Sequence, residues 1–396
     1  MPGIHRSKNI GISGRLRPRL SLRRTAVTVV TTLLMTGCLV ASTQSDGARV
    51  SAAPPSASVP ASVPAPASAS ASQAIEFAHF SQELMSTYIE VAVPAGPSAQ
   101  ADADAVFEVF REVERTANEW KDPSPLAAVN HAAGGDAVAI PPSLMALLIR
   151  GQKAGALTEG AFDITWAALW GLWDFNAAHP RVPAVAEVQK RLPLIDYRRV
   201  ELDASAGTAR LPVAGMKIGL GGIAKGYALE KGAEALRHRG VTHFLLSAGG
   251  QIAAGGSKRV ADTAAETAPE PWRVGIRDPR GTPDDFFAIV PVSDMSLSTS
   301  GDYERYFEQD GVRYHHILDP RTGMPARGLR SATVIGPDPT LVDALSTAMM
   351  VLGTEKALTL AAQLPGVEAV LVDDQGGLHL TAGLKDRLKL IHAPLP

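Results

Sequence analysis

Residues Thr299–Gly353 read TSGDYERYFEQDGVRYHHILDPRTGMPARGLRSATVIGPDPTLVDALSTAMMVLG, and the chain is organised around them. A small-residue turn, Thr299-Ser300-Gly301, leads into Tyr303–Tyr314, where aromatic and charged residues flank Asp310-Gly311. That pattern predicts a β-hairpin. His315 to Gly323 follows, with Pro320 and Gly323 forcing a tight, irregular connection. Ser331–Ile335 is a short β-rich run, and Leu341–Leu352 has helical spacing with Thr340 as its N-cap.

Two groups in this stretch can do chemistry. Asp343 and Thr347 are four apart, so a helix would bring a carboxylate and a hydroxyl to one face, where both could ligate a hard cation. The plainer alternative is that Thr340-x-x-Asp343 is a capping box and Thr347 bonds back to its own helix. His316 sits beside the Pro/Gly turn, close to Asp319. A histidine so placed is either structural or a base with its pKa in the useful range. Spacing alone does not choose.

Working outward, 396 residues with 45% hydrophobic and 20% charged content describe an ordinary globular chain of one large domain or two. The net charge of −2 hides an asymmetry. Residues 1–38 carry seven basic side chains and no acid, leaving 31 basic against 40 acidic over 39–396, a balance near −9. Nucleic acid is therefore excluded as the main partner, because phosphate neutralisation needs a basic surface. Cys38 is the only cysteine, so there is no intrachain disulfide and no cysteine zinc site. It closes a basic segment (Arg23-Arg24), a ten-residue apolar run (Ala26–Met35) and Thr36-Gly37. Those are the parts of an export signal, too short for a comfortable membrane span. Ala41–Gln73, dominated by Ala, Ser and Pro, buries too little to offset its ordering entropy and reads as a tether.

The folded part begins near Ile75. Phe77–Val93 contains strand-like alternation, Ala101–Trp120 is an amphipathic helix, and Pro141–Thr158 is a second helix. Gly160 to Thr165 is a loop ending in an N-cap, and Trp166–Phe175 clusters three Trp and a Phe, a core or a stacking platform. Gly219-Leu220-Gly221-Gly222-Ile223-Ala224-Lys225-Gly226 then precedes a helix, a natural phosphate seat. It is not a Rossmann turn, since the next strand, Thr242–Leu246, offers no carboxylate to a ribose. It is not a P-loop either, because Gly226 follows Lys225. Gly255–Pro271 reads as an exposed loop, Trp272–Pro279 as a strand, Glu355–Leu364 as a helix and Val367–Val372 as a strand.

In order along the chain, Met85-Ser86-Thr87, Gly160 to Thr165, Gly221 to Tyr227, Gly249-Gly250, Trp272 to Pro279, Thr299-Ser300-Gly301, His316 to Gly323 and Asp343 to Ala348 resemble the motifs of the ApbE family. These are flavin transferases that move FMN from FAD to proteins. The likeness covers roughly residues 75–390. The end of the leader also resembles a bacterial lipobox, with Met35 where Leu is usual.

The resemblance implies an α+β fold of the tunnelling type, two subdomains with FAD in the cleft between them. It implies a signal over 1–38, a tether over 39–74 and one catalytic domain over 75–396. Met85, Ala161, Phe162, Asp163, Lys225 and Ser300 would line the FAD site; Gly222, through its carbonyl, Asp343 and Thr347 would hold Mg²⁺; His316 would be the catalytic base. The expected partners are an acceptor flavoprotein with a Thr or Ser hydroxyl and a membrane, held through lipidated Cys38 on the periplasmic side of the inner membrane. Three positions depart from the family pattern: Gly219 replaces an Asp, Ser86 a Gly, and Gln251 an Asp or Asn. The same residues would also serve an FAD-binding protein or a metal-dependent FAD pyrophosphatase.

Overall fold

The computed structural model describes residues 75–259 and 268–396. The leader, Cys38 and the tether lie outside the described residues, as does the middle of the 255–271 loop. In chain order the elements that build the site are β1 (Phe77–Leu84), β2 (Thr87–Pro94), α1 (Ala99–Ala117), α2 (Pro142–Leu157) and α3 (Ala224–His238). After them come β3 (Phe244–Ala248), β4 (Gln251–Gly255), β5 (Trp272–Arg277), β6 (Phe286–Val292) and β7 (Ser296–Gly301). The chain closes with β8 (Leu329–Gly336), α4 (Pro339–Leu352), α5 (Thr354–Gln363), β9 (Glu368–Asp373), β10 (Leu378–Leu380) and β11 (Lys389–Leu390).

An eight-stranded antiparallel sheet, ordered β1-β2-β3-β4-β7-β8-β9-β10, is the frame. Strand alternation sorts its side chains into two cores. Ile89, Val91, Leu246, Val334 and Leu371 point to the helical side and pack with Phe110 of α1, Leu229 of α3 and Leu345 of α4. Ile252, Leu297, Ile335 and Val372 point the other way, against Val274, Ile276 and Phe287 of the small sheet β11-β6-β5. Covered on both faces, β8 is buried at every position. α1 is a surface helix whose buried Ala103, Val106, Phe107, Phe110 and Val113 repeat at helical spacing.

The α+β expectation holds, and several local readings are corrected. The 77–93 run is a hairpin rather than one strand, because Met85 and Ser86 take left-handed conformations (φ 51° and 60°) and turn the chain back. α4 is capped by Asp338, whose carboxylate accepts from the Leu341 N–H at 3.0 Å, and not by Thr340. Thr340, inside the first turn, gives its hydroxyl to Glu230 instead. In the 160–165 loop Asp163, not Thr165, caps the short 3₁₀ helix Ile164–Leu169. The Tyr306–His315 hairpin turns at Asp310-Gly311, both with positive φ, as that pair of residues predicts.

Candidate functional site

α4 is apolar almost throughout, yet Asp343 and Ser346 lie on its buried side. Buried polar groups need partners. β7 provides them, since Ser296, Ser298 and Ser300 alternate onto the helical face. Ser298 Oγ lies 3.2 Å from Asp343 Oδ1 and 3.1 Å from Ser346 Oγ. Ser300 Oγ lies 2.8 Å from Ser346 Oγ and 3.4 Å from Thr347 Oγ1. Neither Ser298 nor Ser346 was a sequence candidate, although serines at every second position facing Asp343 at i+3 were the available signal.

The glycine-rich turn closes on this seam. The first turn of α3 presents the Gly226 N–H to Asp343 Oδ2 at 2.8 Å. Gly226 is required by sterics, because a Cβ there would stand 2.3 Å from the Pro339 carbonyl oxygen and 2.6 Å from Asp343 Cβ. At Gly222 a Cβ would come within 3.2 Å of Thr347 Oγ1 and 3.1 Å of the Phe162 ring. Thr347 thus packs against Gly222, and Asp343 lies one helical turn before it on α4. A carboxylate, a hydroxyl and a main-chain carbonyl would together form an all-oxygen set, which suits a hard divalent cation. Among the described residues no cluster of three or more His, Cys, Asp or Glu offers an alternative metal site.

The seam opens into a cleft of about 1760 Å³, lined by Met85, Ala161, Phe162, Asp163, Lys225, Ser300 and His316, among others. That exceeds the ~300–1,000 Å³ of an ordinary small-molecule pocket, as a dinucleotide would need. Three buried side-chain atoms of the described residues lack a protein partner: Gln251 Oε1, Arg277 Nε and His316 Nδ1. All three residues line this cleft. Unpaired buried polar atoms are costly, so their convergence marks a place built for a ligand.

The two adjacent histidines have separate fates. His315 is buried with Nε2 2.8 Å from the Ala326 carbonyl, and burial lowers its pKa. His316 is fixed through its main-chain N–H, donated to the Arg305 carbonyl at 3.0 Å. Burial first, and Arg305 second, push the imidazole down to about 3, so it is neutral at pH 7. Asp319 does not pair with it; its carboxylate is held by the Arg321 side chain and N–H.

Asp163 lines the cleft, but its oxygens serve the backbone. Oδ1 accepts from the Thr165 N–H and hydroxyl, and Oδ2 from the Tyr197 N–H. It shapes the wall on which Phe162 stands, and burial raises its pKa. The aromatic cluster divides. Trp173 packs with Phe175, Phe307 and Tyr314 and donates Nε1–H to the Gly323 carbonyl at 2.9 Å, tying the hairpin to the site. Trp170 instead lies against Trp120 with ring centroids 3.8 Å apart and planes tilted by 35°, each 49% exposed in the cleft.

An antiparallel α+β frame with a lysine on a glycine-rich turn and a neutral histidine in one long cleft is an enzyme-like site with room for a nucleotide-sized ligand. Comparison with known proteins narrows the class. The ApbE family profile matches residues 85–371, and the chain belongs to that family. It is 37% identical over 305 residues to the FAD:protein FMN transferase of Treponema pallidum, covering 75% of this chain and 84% of that one. Its fold matches the ApbE protein of Thermotoga maritima with a TM-score of 0.70 and 31% identity, over 79% of this chain and 99% of that one. The Pseudomonas stutzeri flavinyl transferase ApbE, in its apo form, matches with 0.69 and 28% identity, over 79% and 97%.

Proposed function

We propose that this chain transfers FMN from FAD to a Thr or Ser hydroxyl of an acceptor flavoprotein and releases AMP. The observation that carries this reading is the meeting of Asp343, Thr347 and Gly222 at the foot of the cleft that also holds the unpartnered Nδ1 of His316. Family membership and the transferase names of the relatives support it.

The acceptor oxygen attacks the phosphorus that carries the flavin. A new P–O bond forms to the acceptor, the P–O bond of the pyrophosphate bridge breaks, and AMP leaves with the bridging oxygen. The hydroxyl proton goes to the His316 imidazole, which is neutral and lines the cleft. Its low basicity rises once a diphosphate enters, since negative charge offsets Arg305 and Lys225. Lys225, whose Nζ lies 3.3 Å from the Gly221 carbonyl, is placed to meet the same phosphates. Mg²⁺, held by Asp343, Thr347 and the Gly222 carbonyl, would supply charge neutralisation on the diphosphate. Met85, Ala161, Phe162 and Ser300 bound the space for the flavin nucleotide.

The full chain incubated with FAD, Mg²⁺ and a candidate acceptor should give covalent in-gel flavin fluorescence and stoichiometric AMP. His316→Ala should lower transfer by about 10²-fold or more while FAD still binds; an unchanged rate would remove His316 from the role. AMP without a labelled acceptor would instead identify a pyrophosphatase. Cys38 is proposed to carry a lipid and hold the domain at a membrane, on the periplasmic side of the inner membrane; Cys38→Ser should move the protein to the soluble fraction.

A further inference from the structure

The stretch that leads into the glycine-rich turn is buried without belonging to a sheet. Met216, Ile218 and Leu220 are fully buried in the main core, yet residues 216–220 form no strand. Buried main-chain N–H and C=O groups need partners, and here no ladder provides them. For Ile218 one side chain supplies both. Asn130, buried in the short helix Pro125–His131, accepts the Ile218 N–H through Oδ1 at 2.7 Å and donates Nδ2–H to the Ile218 carbonyl at 2.9 Å. A residue of a neighbouring antiparallel strand would make the same two-bond exchange. The next residue is held as closely. The Gly219 N–H is donated to the Ile164 carbonyl at 2.8 Å, and the Gly219 carbonyl accepts the Trp166 Nε1–H at 3.0 Å.

We propose that Asn130 is a positioning residue for the metal and diphosphate end of the cleft. Its amide stands in for a missing strand, fixes where the glycine-rich turn begins, and so sets where the Gly222 carbonyl and the Lys225 ammonium stand. This rests on the reading of Gly222 and Lys225 as the groups that meet Mg²⁺ and the diphosphate. The lever is short: Gly222 follows Ile218 by four residues, and Lys225 Nζ is 3.3 Å from the Gly221 carbonyl of the same turn. The far end of the turn has its own anchor, the Gly226 N–H donated to Asp343 Oδ2 at 2.8 Å. Asn130 itself does not line the cleft, so it acts only through the turn. Its own support is firm. Ser124 Oγ caps the short helix, accepting the Ala127 N–H at 3.0 Å, and donates to the Asn118 carbonyl just past α1. A buried amide that completes two main-chain bonds 88 residues away, directly before the proposed ligand groups, holds those groups in place as an outer shell holds a metal ligand.

The test uses the full chain and two dissociation constants, neither of which depends on the folded fraction. Calorimetric titration of Mg²⁺ into the FAD-loaded protein gives one, and flavin fluorescence quenching in Mg²⁺-free buffer gives the other. Asn130→Asp keeps the acceptor for the Ile218 N–H but sets a second oxygen against the Ile218 carbonyl. It should weaken Mg²⁺ binding about tenfold, the low end for losing a group that orients a metal ligand, and weaken FAD binding as well. Asp102→Ala is the control for stability alone. Asp102 Oδ1 pairs with Arg239 Nε at 2.6 Å at the opposite end of α3, so its loss should lower Tm and leave both constants unmoved. Wild-type constants in Asn130→Asp, however early it melts, would overturn the proposal by reducing the amide to a brace. Equal shifts in Asp102→Ala would overturn it too, since any loss of stability would then move the site. If Asn130→Asp does not fold, Asn130→Ser is judged by the same two constants. A wild-type chain that takes up no Mg²⁺ defeats the metal reading alone, and the FAD constant then decides the role of Asn130.

Discussion

Gly226→Ala tests whether the site depends on the close approach of two helices. The new Cβ would stand 2.3 Å from the Pro339 carbonyl oxygen and 3.0 Å from its carbon, so a backbone, not a pliable side chain, must retreat. The oxygen is about 1 Å short of ordinary contact. Overpacking of this kind costs about 1–3 kcal/mol. The displacement also stretches the 2.8 Å bond from the Gly226 N–H to Asp343 Oδ2, and a bond to a charged group contributes about 1.5–3 kcal/mol. Helix propensity returns about 1 kcal/mol. The net loss is about 1.5–5 kcal/mol, or a fall in Tm of roughly 3–10 °C at about 2 °C per kcal/mol. Gly221→Ala is the internal control, since a Cβ there meets nothing within 4 Å; its Tm should stay within about 1 °C. Because Asp343 is also a proposed metal ligand, Gly226→Ala should raise the Mg²⁺ concentration for half-maximal transfer as well. Calorimetry and a Mg²⁺ titration read both. A Tm within about 1 °C of wild type, with an unchanged Mg²⁺ midpoint, would refute the argument.

Two further outcomes follow from single residues. Ser86 holds φ at 60° in the β1–β2 turn, a conformation that costs a non-glycine residue about 1 kcal/mol, so Ser86→Gly should raise Tm by about 1–2 °C; a fall would contradict the strain account. His316 stays neutral in the folded state down to about pH 3, whereas unfolded histidine titrates near 6.5. Its folded pKa is depressed, so the unfolded state binds more protons between those values; stability is full above about 6.5 and falls as pH drops toward 3. Relative to His316→Gln, the wild type should lose up to about 2 kcal/mol between pH 7.5 and pH 5 in urea melts. His315 is common to both proteins and cancels; a difference of the opposite sign would defeat the reasoning.

What could be read from the chain alone follows the range of each interaction. Hydrophobic alternation in Val367–Val372 and helical spacing in Leu341–Leu352 are local patterns, and the structure places strand and helix there within two residues. The cap of α4 was misread because Asp338 and Thr340 are both competent caps, and only Glu230, 110 positions away, claims the Thr340 hydroxyl. The roles of Asp343 and Asp163 were equally undecidable locally. Each has carboxylate oxygens free to bind a ligand or brace the chain. Asp343 is braced by Gly226, 117 residues earlier, yet stays beside Thr347 and Gly222. Asp163 is consumed by Thr165 and by Tyr197.

The departures from the family pattern gain a physical sense only in three dimensions. Ser86 falls on a backbone conformation that favours glycine, so the change there loads the turn and leaves its path intact. Gly219 falls beneath an indole that donates to its own carbonyl, so an Asp could not be restored without moving Trp166. Gln251 falls at the start of β4, buried beside the cleft with Oε1 unpaired. An amide there keeps an acceptor and adds a donor where the pattern carries an acid or a shorter amide. Only the change at 219 thus removes an acid outright, while the seam at Asp343 remains in the cleft. The Asp343 carboxylate holds the helix end of the glycine-rich turn, accepting from the Gly226 N–H at 2.8 Å. The turn is therefore held where α3 begins, directly after Gly222 and Lys225, which the proposed chemistry needs held still.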